Sequence, residues 1–130
     1  MNQTEILTVQ DIIKLVSTFY SKVQDDELLA PIFNAVIQEN WEKHLEKMIR
    51  FWQTVLLEEH TYFGSPFPPH SRLPITSLHF ERWVSIFNQN IDEHFTGAKA
   101  EESKWRASKM AQLFQTKIAY HQKFETDALF

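Results

Sequence analysis

The chain has 130 residues, among them 11 Phe, 4 Trp and 3 Tyr, but only two Gly and no Cys. One domain of that length (residues 1–130, core about 8–124) can bury a core of its own. Glycines at 64 and 97 alone exclude a turn-rich barrel, a Rossmann fingerprint and a phosphate-cradling loop, and the lack of Cys excludes disulfide scaffolds, thiolate metal sites, thiol nucleophiles and C-x-x-C-H haem attachment. A net charge of −4 offers no basic face to nucleic acid. No apolar run approaches the ~20 residues of a membrane span, and Met1 to Gln10 carries no basic-then-apolar leader. The expected setting is cytoplasmic, with neither nucleic acid nor membrane as partner.

Thr8, with Asp11 three residues on, reads as a helix start. Ile12, Ile13, Leu15, Val16, Phe19, Tyr20 and Val23 follow at helical spacing, which predicts a helix from about Thr8 to Gln24. Asp25 and Asp26 break it. Leu28, Leu29, Ile32 and Phe33 around Pro31 predict a short turn-like helix over Glu27 to Phe33. Asn40 can cap a third helix carrying His44, Leu45, Met48, Ile49, Phe51, Trp52, Val55 and Leu56 and fading after Glu59. From Thr61 to Pro74 four prolines end the helical pattern. Thr76 or Ser77 then caps a helix with Phe80, Trp83, Val84, Phe87, Ile91 and Phe95, which ends near Gly97. A last helix should run from about Ala100 to Phe124, with Trp105, Met110, Ala111, Leu113, Phe114 and Ile118 as its apolar set, and fray beyond. The class is all-α.

Six histidines, at 44, 60, 70, 79, 94 and 121, are the candidate metal ligands. Neither H-E-x-x-H nor the Glu-x-x-His of di-iron bundles can be written with them. A haem asks less, because the porphyrin supplies four nitrogens and the protein need add only one axial imidazole. It also needs a slot lined by aromatic and aliphatic groups, and a chain that is 14% aromatic can build one. Such an aromatic stripe can equally be ordinary core.

Phe19-Tyr20, Pro31-Ile32-Phe33, Trp41-x-x-His44, Phe51-Trp52, His70-x-x-Leu73-Pro74 and His79-Phe80-x-Arg82-Trp83 follow one another along the chain. This ordered set resembles the truncated haemoglobins, specifically group III, the P type, over about Ile12 to Ile118. The double-glycine motifs of the first two groups are missing, as in the third. The resemblance implies a two-over-two helical sandwich around a b-type haem (iron protoporphyrin IX), with a shortened or absent N-terminal helix.

Carried over residue by residue, the resemblance makes His70 the proximal iron ligand. Pro68, Pro69 and Pro74 around it would hold one backbone orientation. His79 competes for that role, and Trp83, thirteen residues after His70, favours the first. His79 would then face solvent or a haem propionate. Tyr20, His44 and Trp83 match the distal polar positions, where each can donate a hydrogen bond. Tyr20 could instead be a core tyrosine bonded to a carbonyl, and His44 could turn outward as a gate. His44, Met48 and Phe51 or Trp52 share one helix face, a polar start followed by an apolar wall. Lys47, near that face, and Arg72 are candidates to meet propionates, and an exposed lysine without a partner is the alternative for Lys47. Phe33 matches the aromatic that packs against the haem, and Leu73, Phe80 and Phe87 complete the cofactor-binding set.

The resemblance thus implies a globin that binds dioxygen, nitric oxide or carbon monoxide, and several strong donors suit sensing or redox chemistry better than oxygen delivery. A second possibility is a haem enzyme at the same site, a nitric oxide dioxygenase or peroxidase-like activity served by a separate reductase. A third is a cofactor-free helical domain presenting an apolar groove.

Overall fold

In the computed structural model, residues 3–62 and 75–128 are described, with side chains through residue 120. Helix α1 (Val9–Asp25) starts as its sequence directs. The Asp11 carboxylate reaches back to accept the backbone N–H groups of Leu7 at 2.9 Å and Thr8 at 3.0 Å, closing a capping box with Thr8. Burial opposes the charge on Asp11, but those N–H bonds and the Thr8 hydroxyl hold its carboxyl below the usual range.

Helix α2 (Ala30–Ile37) begins later than the pattern predicts and runs four residues past Phe33. Pro31 explains the shift. In the first helical turn its missing N–H costs nothing, so it opens the helix rather than interrupting it. Helix α3 (Trp41–Leu57) ends two residues short of Glu59, because Glu58 adopts a left-handed conformation with φ of 58°. Asn40 occupies its N-cap position without a side-chain cap bond.

Thr76, rather than Ser77, caps α4 (Ser77–His94). Gly97, at φ +97°, makes the turn into α5 (Ala98–Ala128), and an added Cβ there would lie 3.0 Å from the Glu5 carboxylate. Helix α5 continues past the expected fraying point at Phe124. None of the helices is long and apolar enough to cross a membrane, among the described residues.

The segment before α1 is part of the packing. Thr4 donates to the His94 carbonyl at 3.1 Å and accepts from Thr96 N–H at 3.0 Å, and Ile6, ahead of the expected start at residue 8, is fully buried. Helix α1 packs on α3 and α4, and α4 packs on α5, so one helix pair lies over another in a two-over-two sandwich. Its centre holds Ile12, Leu15, Val16, Phe19 and Val23 of α1 against Trp52, Leu56, Phe87 and Ile91.

On α5 the buried stripe is Ala100, Ser103, Ala107, Ala111, Phe114 and Ile118, at three- and four-residue spacing. Trp105 and Leu113, expected with the apolar set, fall between these positions and face outward. The two aromatic positions should therefore differ sharply. Phe87→Ala, which removes a fully buried ring touching three other aromatics, should cost about 3–5 kcal/mol. Trp105→Ala should stay within about 0.5 kcal/mol. Urea unfolding followed by circular dichroism measures both.

Candidate functional site

The i, i+3 spacing of Trp41 and His44 sets both rings on one face of α3, the face turned toward α1. There Tyr20, only 6% exposed, receives His44 at a ring distance of 5.0 Å and an angle of 88°. Trp41 and Phe33 each approach Tyr20 at 6.1 Å, also edge to face. Trp41 is held by its indole N–H, which donates to Asn34 Oδ1 on α2 at 3.2 Å. The Tyr20 phenol is a donor at neutral pH, and burial pushes its ionisation further above the ordinary range. His44 is half-buried, with Nε2 shielded from solvent.

Phe19, the chain neighbour of Tyr20, joins this group to a second one. Its ring meets Trp83 edge-on at 5.4 Å and Phe87 at 5.2 Å. Phe87 in turn stacks on Trp83 at 5.5 Å and on Trp52 at 5.2 Å, and Phe51 packs on Trp52 and Tyr62. The result is a continuous aromatic wall contributed by four helices. Phe33, Trp41, Met48, Phe51 and Trp83 are its half-buried members, each packed against the core on one side only. An apolar row of this kind, beside one buried phenol and one imidazole, fits a flat apolar macrocycle with a small polar ligand on its face.

The geometry brings His44 and Phe33 each against Tyr20. Trp83 reaches that group through Phe19. Met48 leans on the core, Trp52 and Phe87 form its stacked floor, and Phe80 is half-buried in the first turn of α4. Lys47 stands exposed on α3.

His79 has a local duty. Its Nδ1 accepts the backbone N–H of Thr76 at 3.0 Å and lies 3.1 Å from the Thr76 hydroxyl, as the N3 partner of the α4 capping box. His70, Arg72 and Leu73 lie outside the described residues.

Trp41, Phe19 and Tyr62 also belong to the wall, although the sequence reading gave them no site role. The first two were visible inside the ordered motifs. Tyr62 carried no signal, because it lies past the end of α3 where helical periodicity stops. The Thr54 hydroxyl brings it back, accepting the N–H groups of Thr61 at 3.1 Å and Tyr62 at 2.9 Å.

At the α1–α2 corner, Asp26 makes the one buried carboxylate contact near the wall, among the described residues. Burial would raise its pKa. The Arg82 hydrogen bond, the Leu28 and Leu29 N–H groups and the Arg82 charge outweigh that and hold it below the usual range.

A helical sandwich with an aromatic wall and a buried phenol facing a histidine is the arrangement of a haem-binding globin. A family model of bacterial-like globins matches residues 5–118, and the chain belongs to that family, as a truncated haemoglobin of group III. It is 33% identical over 118 residues to the group 3 truncated hemoglobin ctb of Campylobacter jejuni, covering 88% of this chain and 93% of that one. The crystal structure of a group III truncated hemoglobin from the same organism matches with a TM-score of 0.80 at 32% identity, over 89% of this chain and 94% of the other.

Proposed function

We propose that this chain binds a b-type haem against the aromatic wall, with His70 as the proximal ligand, and holds a diatomic gas under Tyr20, His44 and Trp83. The observation that carries this reading is the buried Tyr20 phenol in edge contact with His44. A cysteine-free chain has no thioether attachment to offer, so the macrocycle is held by packing and one axial bond, and the b type is what the family resemblance implies. When bound, haem supplies an iron centre that takes dioxygen, nitric oxide or carbon monoxide. The protein supplies the rest.

Phe33, Met48, Phe51 and Phe80 present the apolar surface, and the buried Trp52 and Phe87 rings back it. Lys47 and His79 offer cationic or donor groups beside it, and Arg72 and Leu73 complete the set of residues assigned to the haem. Tyr20 Oη, a protonated phenol at neutral pH, offers an O–H to whatever negative charge the ligand develops. His44 and Trp83 add further N–H donors in a water-poor setting, where each bond is stronger than in solvent. A cytoplasmic setting agrees with the absence of cysteine.

Titration of the purified chain with haemin, followed in the visible spectrum and then reduced under carbon monoxide, tests this. One equivalent per chain, a histidine-ligated ferrous spectrum and full release of the haem into acidic ketone are expected. A helical, folded protein that takes up no stoichiometric haem would overturn the assignment.

A further inference from the structure

Two acidic residues at the end of α1 looked in sequence like a simple helix break. One of them does much more. The Asp26 side chain is 4% exposed, and an uncompensated carboxylate there would be costly. Its Oδ1 accepts from Arg82 Nε at 2.7 Å, while Oδ2 accepts the N–H groups of Leu28 at 3.1 Å and Leu29 at 3.0 Å. The Asp26 backbone joins in. Its N–H donates to Val23 at 3.1 Å, closing α1, and its carbonyl accepts from Ala30 at 2.9 Å, opening α2. One residue therefore fixes the end of one helix, the start of the next and the first turns of α4.

The elements so joined carry the wall. Tyr20 lies on α1 and Phe33 on α2, and Arg82 immediately precedes Trp83, whose indole packs against both Phe19 and Phe87. A second polar tie between α1 and α4 runs from Lys22 Nζ to Asn90 Oδ1 and Glu93, both 2.8 Å, but it holds the far half of α4. The Asp26–Arg82 bond is thus the charged restraint, among the described residues, on the half of α4 that bears Trp83.

We propose that Asp26 and Arg82 are a positioning pair, whose bond fixes the Trp83 indole relative to Tyr20 and so tunes how tightly a bound gas is held. This rests on the haem-binding reading above. Neither residue touches the ligand. Arg82 offers its guanidinium side-on through Nε, a contact that a lysine ammonium reproduces only in charge.

The test uses the full chain labelled with fluorotryptophan, with Trp83 assigned through Trp83→Phe and the exposed Trp105 as internal reference. Asp26→Asn and Arg82→Met should each shift or broaden the Trp83 fluorine resonance and leave Trp105 in place. In haem-loaded protein the same variants should change the carbon monoxide stretching frequency and speed oxygen release roughly 2- to 30-fold, as expected for a coupled packing network. Arg82→Lys should restore part of both signals, the double variant should release oxygen no faster than the more affected single one, and Lys22→Met should leave Trp83 unmoved.

An unmoved Trp83 resonance with an unchanged oxygen release rate in Arg82→Met overturns the pairing. Should Asp26→Asn fail to fold, Arg82→Met carries the test alone, since it leaves the Leu28 and Leu29 bonds intact. Should the wild type take up no haem, the functional assignment falls, while the Trp83 resonance still decides whether this pair positions the indole.

Discussion

His70→Ala should strip the chain of stable haem. A non-covalent haem is held by apolar contact and by its axial bond, and the aromatic wall on the α1–α3 side supplies only the first. Losing a partner that merely orients a metal ligand costs about 10- to 100-fold in metal affinity. Loss of the ligand itself should therefore exceed about 100-fold, and the Soret band should decay when apomyoglobin competes for the haem. Added imidazole should restore the histidine-type ferrous spectrum in this variant, since the cavity left by the side chain admits the free ligand.

His79→Ala is the informative control. With Nδ1 committed to Thr76, its removal should cost about 1 kcal/mol of helix-cap stability and leave the spectrum intact. The reverse pattern, with haem lost only in His79→Ala, would move the proximal role to α4.

The five helices were legible in sequence because apolar spacing of three and four is a direct demand of helix packing, and each helix carries it. Their ends were less so. Pro31 looks like a breaker until the helix begins one residue earlier, and the left-handed Glu58 has no side-chain signature that would announce it. Ile6 was missed since a residue buried by an irregular strap has no period. The outward turn of Trp105 was missed for the opposite reason. Its hydrophobicity was read without the phase set by Ala100, Ser103, Ala107 and Ala111, which are small and pass unnoticed.

For the candidate site, the motif order carried more than any single residue. Tyr20, His44 and Phe33 come from three helices and meet in space, which chain spacing cannot foretell. The role of Asp26 depends on Arg82, 56 positions away, so no local pattern could show it. That pair also illustrates how the fold serves the wall. The charged bond joins α4 to the α1–α2 corner, one residue before Trp83 in the chain.

Tyr20→Phe should release oxygen about 10- to 100-fold faster than the wild type. A hydrogen bond to a partner bearing charge contributes about 1.5–3 kcal/mol, and each 1.4 kcal/mol is about tenfold in rate when it stabilises only the bound state. The phenol is suited to that role because it is a neutral O–H donor and the edge contacts with Phe19, Phe33 and His44 keep its ring in place. Those contacts belong to the ring, so phenylalanine preserves them and the fold should not suffer. Carbon monoxide carries little charge and gains little from the donor, so its dissociation should change by less than about threefold. Stopped-flow displacement of each gas measures the two rates on one sample. If both gases leave faster by the same factor, the hydroxyl acts through packing; if neither changes, Tyr20 is a core tyrosine, and the donors that matter are His44 and Trp83. Selective loss of oxygen alone identifies a directed O–H bond, because packing does not distinguish two diatomic ligands of nearly equal size.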